Sequence, residues 1–373
     1  MNIQLANYQL LEGIPSNTGE LQYILDTVNK KYNNSTWRFF TDVLPASRSK
    51  KFSAIIEETG IVVQASLLGA EGKKPLRSIE GGELYSDSIH KIGHGFAMSQ
   101  TDINAIDEMN LLNVDYGEQM VEKYMNRAGS LIGGFHSTWN GWIFQALADQ
   151  TIVLKPQGAA SGLTVDLRTP ASHKLKAKGT QAWFNVDADT FNILADLKRM
   201  NKIGDDKGLP SDRLYVCSKD LFDKMIADAS LVGAIKARMP IQNSTNAVLS
   251  DGEILMGLRA LGLPPIVAID EKSRTEVDGV PTADAAKFDT DKISLIPATK
   301  LFNLHNSPSD YAMDNNPATL KAFFEGGLIG AIELFESDPI KVITNMESWS
   351  FLSFKNPKWI VSLDSSLHST TGA

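Results

Sequence analysis

The chain has one cysteine, Cys217, so an intramolecular disulfide framework and a Cys-rich zinc site are both excluded. No apolar run reaches the roughly 18 to 20 residues that a bilayer-spanning helix needs. The opening residues Met1 to Glu12 carry no basic lead and no clear cleavage site, so they do not read as a secretory signal. The expectation is a protein kept in a reducing cytoplasm, with no membrane partner. Positive charge is in short supply: Lys plus Arg is 36 against 44 for Asp plus Glu, and 36 − 44 = −8. A net negative chain is ill suited to gripping phosphate backbones. Apolar residues are not scarce. At 43% of 373 residues they suffice for a sizeable core, in one elaborated domain or two ordinary ones.

Catalytic motifs are also missing. No phosphate-binding G-x-x-x-x-G-K-[ST] occurs, and Gly69-Ala70-Glu71-Gly72-Lys73-Lys74 has the wrong spacing. Gly326-Gly327-Leu328-Ile329-Gly330 leads into a β-branched run and reads as a bend before a strand. Gly158-Ala159-Ala160-Ser161-Gly162 lacks the spacing of a nucleophile elbow. Of the six histidines only His90 and His94 lie close together. Their segment reads as a strand, which puts them on one face but about 13 Å apart, too far to share an ion. Cys217 sits in the β-rich run Arg213 to Ser218 and reads as a buried core thiol. Asp205-Asp206 and the pair Asp187 and Asp189 suit turns and helix caps. With no catalytic constellation, cofactor motif or metal set legible, a non-enzymatic role is expected.

The chain reads as a succession of unlike segments. Leu21, Ile24, Leu25 and Val28 predict an amphipathic helix over about 18–31 within a first segment, 1–52, that reads as an arm lying on something else. Residues 53–98 predict a long hairpin, with Val62, Leu67 and Leu68 on its outgoing strand. Its tip holds six charges: Glu71, Lys73, Lys74, Arg77, Glu80 and Glu83. An isolated two-stranded hairpin is marginal in water and needs a neighbour. Ser99 to Asp102 forms a capping box, and apolar residues at helical spacing with no proline as far as Lys155 predict a long helix. That helix is about 50 Å long, kinks near Asn113 or Gly117 and ends near Gly133-Gly134, with a further helical stretch over 138–149. The basic run His173 to Lys178 reads as a solvated loop.

Residues 185–330 alternate helices and strands. Asp187 caps a helix to about Met200, Arg213 to Cys217 is a strand, and Ser218 opens a second helix. Ser250 or Asp251 opens a third that stops at Gly262. Pro265 to Ile269 and Ile293 to Pro297 are buried-type strands, separated by a polar hairpin around Val277 to Val280. This is an α/β block. Residues 331–363 return to strands, and the Ser/Thr-rich tail from Asp364 is expected to fray.

Taken in order, these segments resemble the major capsid protein of tailed bacteriophages, with its Hong-Kong-type (Johnson) α+β fold. The run Gly330-Ala331-Ile332-Glu333-Leu334-Phe335-Glu336-Ser337-Asp338-Pro339 looks like that family's returning peripheral strand. The resemblance implies an N-terminal arm at 1–52 and an extended hairpin, the E-loop, at 53–98. It implies a spine helix and peripheral domain at 99–184, an axial domain at 185–330, and returning peripheral strands and tail at 331–373. It implies a structural protein that self-assembles, as pentamers and hexamers, into the icosahedral shell around a double-stranded DNA genome, bound without sequence specificity. It also implies portal and scaffolding partners, assembly in the host bacterial cytoplasm and residence in the virion capsid. No long charged N-terminal scaffolding segment is visible, so any scaffold is cleaved, separate or absent. Some relatives crosslink an E-loop lysine to a neighbour's asparagine. Lys73 and Lys74 sit in the corresponding loop, but solvated tip charge is the better reading.

The expected inter-subunit contacts are Val62, Leu67 and Leu68, covered by a neighbour, and Glu71, Lys73, Lys74, Arg77, Glu80 and Glu83, paired across the seam. Two other readings are a bacterial encapsulin-like nanocompartment shell and a cytosolic α/β enzyme with an N-terminal extension.

Overall fold

The computed structural model describes residues 18–56, 83–101, 104, 117–154, 162–179, 181–184, 191–238, 249–274, 276–277, 280–281, 285–314, 316, 319–337 and 340–369. The chain divides into two compact units. The first holds Met1–Ala54, Ser86–Asn140 and Phe302–Ser353; the second holds Ile55–Tyr85, Gly141–Leu301 and Phe354–Ala373.

The described helices are α1 Thr18–Asn29, α2 Thr36–Phe40, α3 Gly117–Asp149, α4 Ile193–Asp206, α5 Lys219–Ala227, α6 Ala229–Arg238 and α7 Asp251–Ala260. The strands run from β1 Thr41–Val43, β2 Lys51–Ile56, β3 Glu83–Ser88 and β4 His90–Met98 through β5 Thr151–Leu154 and β6 Leu163–Asp166 to β7 Lys174–Lys178. Next come β8 Arg213–Ser218, β9 Ile266–Ile269, β10 Lys272–Ser273, β11 Glu276–Val277, β12 Val280–Pro281, β13 Ala285–Ala286 and β14 Lys292–Pro297. Last are β15 Phe302–Ser307, β16 Leu320–Phe324, β17 Ile329–Ser337, β18 Ile340–Phe354 and β19 Val361–Ser369.

The first unit is built on a six-stranded sheet in the order β1-β15-β18-β17-β16, with β4 also pairing β18. The antiparallel register runs from Gly330↔Glu347 to Ser337↔Ile340, and on β4 from Val342↔Met98 to Ser350↔His90. Leu21, Leu25 and Val28 repeat along one face of α1, and all three are buried, as the helical period predicts. Trp37 and Phe40 of α2 are buried as well. The expected arm is therefore corrected for its described part: residues from 18 onward bury their apolar side chains within their own chain. Within the expected hairpin, β2 and β3 pair as a two-stranded ladder. β4, the end of the expected 53–98 hairpin, is a member of the larger sheet.

The second unit is built on a mixed five-stranded sheet, β7-β19-β14-β8-β9. Every residue of β8 is buried, as befits a central strand covered on both faces. Leu175, Leu197, Tyr215, Leu221, Ile254, Leu258, Leu295 and Leu363 share one core there. The Ser218 hydroxyl caps α5 by accepting from Leu221 N–H, and Ser250 with Glu253 closes a reciprocal capping box on α7. Gly262, at φ 76°, supplies the left-handed residue that ends α7. The polar hairpin is also present, with Val277↔Val280 and Glu276↔Pro281 paired.

Several expectations change. The basic run is not a loop: Lys-Leu-Lys-Ala-Lys alternates with period two, so β7 turns Leu175 and Ala177 inward and its lysines outward. The helix expected from Asp187 starts at Ile193, because the Asn192 side chain accepts from Ala195 N–H; Asp187 lies outside the described residues. The tail from Asp364 to Ser369 is not frayed but completes β19, antiparallel to β14 and parallel to β7. The divisions at 330 and 331 are crossed by the packing: β15 and β16 belong to the first unit, while β19 belongs to the second unit's sheet.

The long helix does not end at Gly133-Gly134 but runs on to Asp149. Its first part lies in the first unit and Gly141–Asp149 in the second. The two glycines mark close approach instead of a terminus. A Cβ on Gly133 would stand 2.6 Å from the Tyr32 hydroxyl, and one on Gly134 would stand 2.3 Å from His94 Cε1. The capping box at Ser99 and the kink near Asn113 involve Asp102 and Asn113, which lie outside the described residues; Gln100, Thr101 and Asn104 are helical.

Candidate assembly surfaces

In the first unit a charged cluster stands at the root of the β2–β3 ladder. Ile89 N–H bonds Lys50 C=O at 2.8 Å, which brings the two ends of the ladder together. Lys50 and Lys91 flank that closure, and both reach Asp310, at 2.8 and 3.1 Å. Lys91 also pairs at 2.6 Å with Glu347, which is buried on β18. The Glu347 carboxylate accepts in addition from the Ser309 hydroxyl (2.6 Å) and from Asp310 N–H (2.5 Å). Lys50 Nζ stands 3.4 Å from the centre of the Trp349 ring, a cation–π contact. Hydrogen bonding from Lys50 pulls the Asp310 carboxyl down to about 2, outweighing the opposing effect of burial. A polar group as buried as Glu347 costs stability unless donors such as these meet it.

The segment ahead of that ladder is fastened by polar aromatics. Trp37 Nε1–H donates to His136 Nδ1 at 2.8 Å, and Trp37 N–H donates to Asn140 Oδ1 at 2.7 Å. The other His136 nitrogen lies 3.2 Å from Asn29 Oδ1, so the ring is neutral, with its proton on Nε2. Tyr32 stacks on the imidazole with centroids 4.9 Å apart and donates its hydroxyl to Gly129 C=O at 2.9 Å. Burial holds His136 down to about 4. Asn29 and Arg38 both reach the carboxylate of Glu325.

In the second unit the two outer strands of the sheet differ. At β7 the edge is covered by α4: Arg199 donates to Lys176 C=O, and Lys178 N–H bonds both Asp196 oxygens at 3.2 Å. Asp196 is buried, pairs with Arg199 at 3.1 Å and accepts from Trp183 Nε1–H at 2.9 Å. Burial raises its pKa, and these donors oppose the rise. Covering an edge in this way blocks uncontrolled strand pairing. The other edge is β9. Tyr215 N–H bonds Pro265 C=O at 2.8 Å, so the alternating pleat turns the amides of Ile266 and Ala268 outward. Among the described residues no strand pairs with that side.

Of the contacts expected from sequence, Val62, Leu67, Leu68, Glu71, Lys73, Lys74, Arg77 and Glu80 lie outside the described residues, while Glu83 opens β3. The cluster around Asp310 was not foreseen. Its members come from positions 50, 91, 310 and 347, and no local motif links them. Cys217 is a buried free thiol in β8, pushed up to about 12 by burial, as its sequence context predicts. His90 and His94 lie on one strand, each against a different partner: Phe351 edge-on for His90, and the Leu131 carbonyl at 2.6 Å for His94. No described helix is long and apolar enough to cross a membrane.

No family profile and no curated protein matches the chain. Solved structures do. A protein assigned as a prophage capsid protein of E. coli CFT073 superposes with a TM-score of 0.58 at 11% identity, covering 93% of this chain and 98% of that one. The chain has the fold of a tailed-phage major capsid protein. Capsid structures of cyanophage P-SCSP1u and of mature bacteriophage PhiM1 also align, each with a TM-score of 0.46 at 12% identity. They cover 88% and 89% of this chain, and 86% and 87% of their own.

Proposed function

We propose that this chain is a shell subunit, which self-assembles into the icosahedral capsid enclosing the double-stranded DNA of a tailed phage. The observation that carries the reading is the superposition on the prophage capsid protein, which extends over nearly the whole of both chains. In this reading the six-stranded sheet is the core of the peripheral domain and the five-stranded unit is the axial domain. Residues 1–52 serve as an arm whose described part, from 18 onward, is seated on its own chain. The E-loop, within 53–98, rises from the ladder that Lys50, Lys91, Asp310 and Glu347 anchor.

Assembly demands heterologous contacts that close into rings of five and six. Val62, Leu67 and Leu68 are covered by a neighbouring copy, and Glu71, Lys73, Lys74, Arg77, Glu80 and Glu83 pair across that seam. Each exposed pair contributes only ~0.2–1 kcal/mol. Such pairs set register and keep early contacts reversible, while apolar burial supplies strength. The net charge of −8 suits a container that encloses DNA without adhering to it. Portal and scaffolding proteins are the expected partners, with assembly in the host bacterial cytoplasm and the virion as the destination. Electron microscopy of the purified recombinant protein tests this. Shells, rings or sheets are expected, and a uniform field of monomers or dimers at high concentration and under crowding would overturn the reading.

A further inference from the structure

The two outer strands of the five-stranded sheet differ in what they present: lysines at one, carbonyls with nearby carboxylates at the other. On β7 the exposed residues Lys174, Lys176 and Lys178 recur every second position, about 6.6 Å apart along the strand. Among the described residues no ion pair holds Lys174 or Lys176, while Lys178 lies near enough to Asp196 to act on its carboxylate. Asp364, the register partner of Lys176, turns its carboxylate back to Ser366. At the other side β9 presents the outward carbonyls of Ile266 and Ala268 at the same two-residue interval. Beyond them, at the carboxyl ends of β8 and β9, Lys219 is surrounded by Asp223, Asp251 and Asp270, a local balance of 1 − 3 = −2. The β7 edge is closed to strand pairing by Arg199 and Asp196, so its lysines can engage a partner only through their side chains.

We propose that the lysine row on β7 of one copy docks against the β9 edge and its carboxylates on the next copy, forming a head-to-tail seam. This rests on the shell reading and names a second contact surface beside the hairpin. The lysine ammoniums donate to the outward β9 carbonyls and to Asp223 and Asp270. Because the two surfaces lie on opposite outer strands of one sheet, every copy offers both. The contact is heterologous, the type that closes rings. A second copy fits better than nucleic acid: the row holds three lysines with no interleaved aromatic residue, and its acceptor counterpart lies on the same unit.

Charge reversal tests the seam in the full-length protein. K174E/K176E/K178E is expected to raise the critical concentration for assembly about tenfold or more, and D223K/D270K is expected to do the same. The five-site combination restores opposite charge and is expected to return assembly to within about threefold of wild type. Circular dichroism melting identifies any variant that misfolds. For that case K174Q/K176Q/K178Q removes the charge without reversing it and is expected to shift assembly in the same direction. If either reversal assembles like wild type, or the combination gives no rescue, the seam is wrong. Normal shells that retain less nucleic acid in the lysine variant would place the row against nucleic acid and equally overturn it. A wild-type protein that never assembles would instead remove the shell reading itself.

Discussion

The two units hold their sheets together by different means. In the second unit one mainly aliphatic cluster, with Leu175, Leu197, Leu221, Leu258, Leu295 and Leu363 meeting around Tyr215, dominates the core, and Gln150, His173, Asp196 and Arg213 are the bulkier polar groups buried beside it. In the first unit the sheet and its helices bury His136, Asn140, Glu333, Thr344, Glu347, Ser348, Ser350 and Ser353 alongside Trp37, Trp139 and Phe351. Apolar packing is insensitive to pH and tolerant of volume-conserving exchange, whereas buried polar seams are fixed in geometry and costly when incomplete. The difference teaches where control resides. Charge and protonation therefore bear more on the first unit's packing than on the second's.

The strongest way to break this comparison is Trp37→Ala. It removes a buried aromatic and leaves His136 Nδ1 without its indole donor, so a loss of about 3–5 kcal/mol is expected. Hydrogen exchange should then show faster exchange at first-unit amides such as those near Gly129 and Leu131, with β8 around Cys217 still protected. Equal loss of protection in both units would mean that the contrast has no energetic meaning.

Acidification is the next largest effect. His90, His94, His136 and His305 in the first unit are all shifted down, chiefly by burial, against His173 in the second. For such groups the unfolded state binds more protons at mildly acidic pH. Their stabilisation is complete above about 6.5 and is lost as pH falls toward 4, the folded value for His136 and His305. His136 alone accounts for about 3 kcal/mol at most. Denaturation midpoints measured from pH 7 to 4 should fall for wild type and flatten in His136→Gln, whose starting stability is lower. An unchanged slope would contradict the role given to this ring.

A smaller effect comes from two glycines of one helix. Gly134→Ala should cost about 1–3 kcal/mol, because its Cβ meets His94 at 2.3 Å. Gly141→Ala, with nothing within 4 Å, should gain about 0.5–1 kcal/mol. The smallest is Asp310→Asn. The carboxylate is partly exposed, so solvent screening limits the loss to about 1 kcal/mol. Its folded value of about 2 lies below the ordinary carboxylate range, so its contribution persists through the histidine window and fades only from about pH 4 down to 2. Thermal melts at pH 7 and pH 3 separate the two.

The same contrast decides what could be read from the amino acids. In the second unit each element announces itself locally: Ser218 and Ser250 as caps, Gly262 as a stop, Arg213 to Ser218 as a buried strand. In the first unit the contacts that matter join positions far apart. Asn29 and Arg38 meet Glu325, and Lys50 meets Asp310, so no window of sequence contains the reason for either. Gly133-Gly134 misled because a glycine pair ends a helix when exposed but admits a neighbour when packed, and the neighbours Tyr32 and His94 are remote. The run at 174–178 was misread through its charge, although its alternation already specified a strand. The hairpin contacts proposed from sequence await a test of their own, since no local rule identifies the surface that meets another copy.

Sedimentation velocity of the intact purified protein, followed across concentration, bears most directly on the claim that this fold builds a container. The expected result is a boundary of megadalton particles in equilibrium or kinetic exchange with 40.8 kDa subunits or their small rings. A single species of one or two chains at every concentration, salt and crowding condition would contradict it.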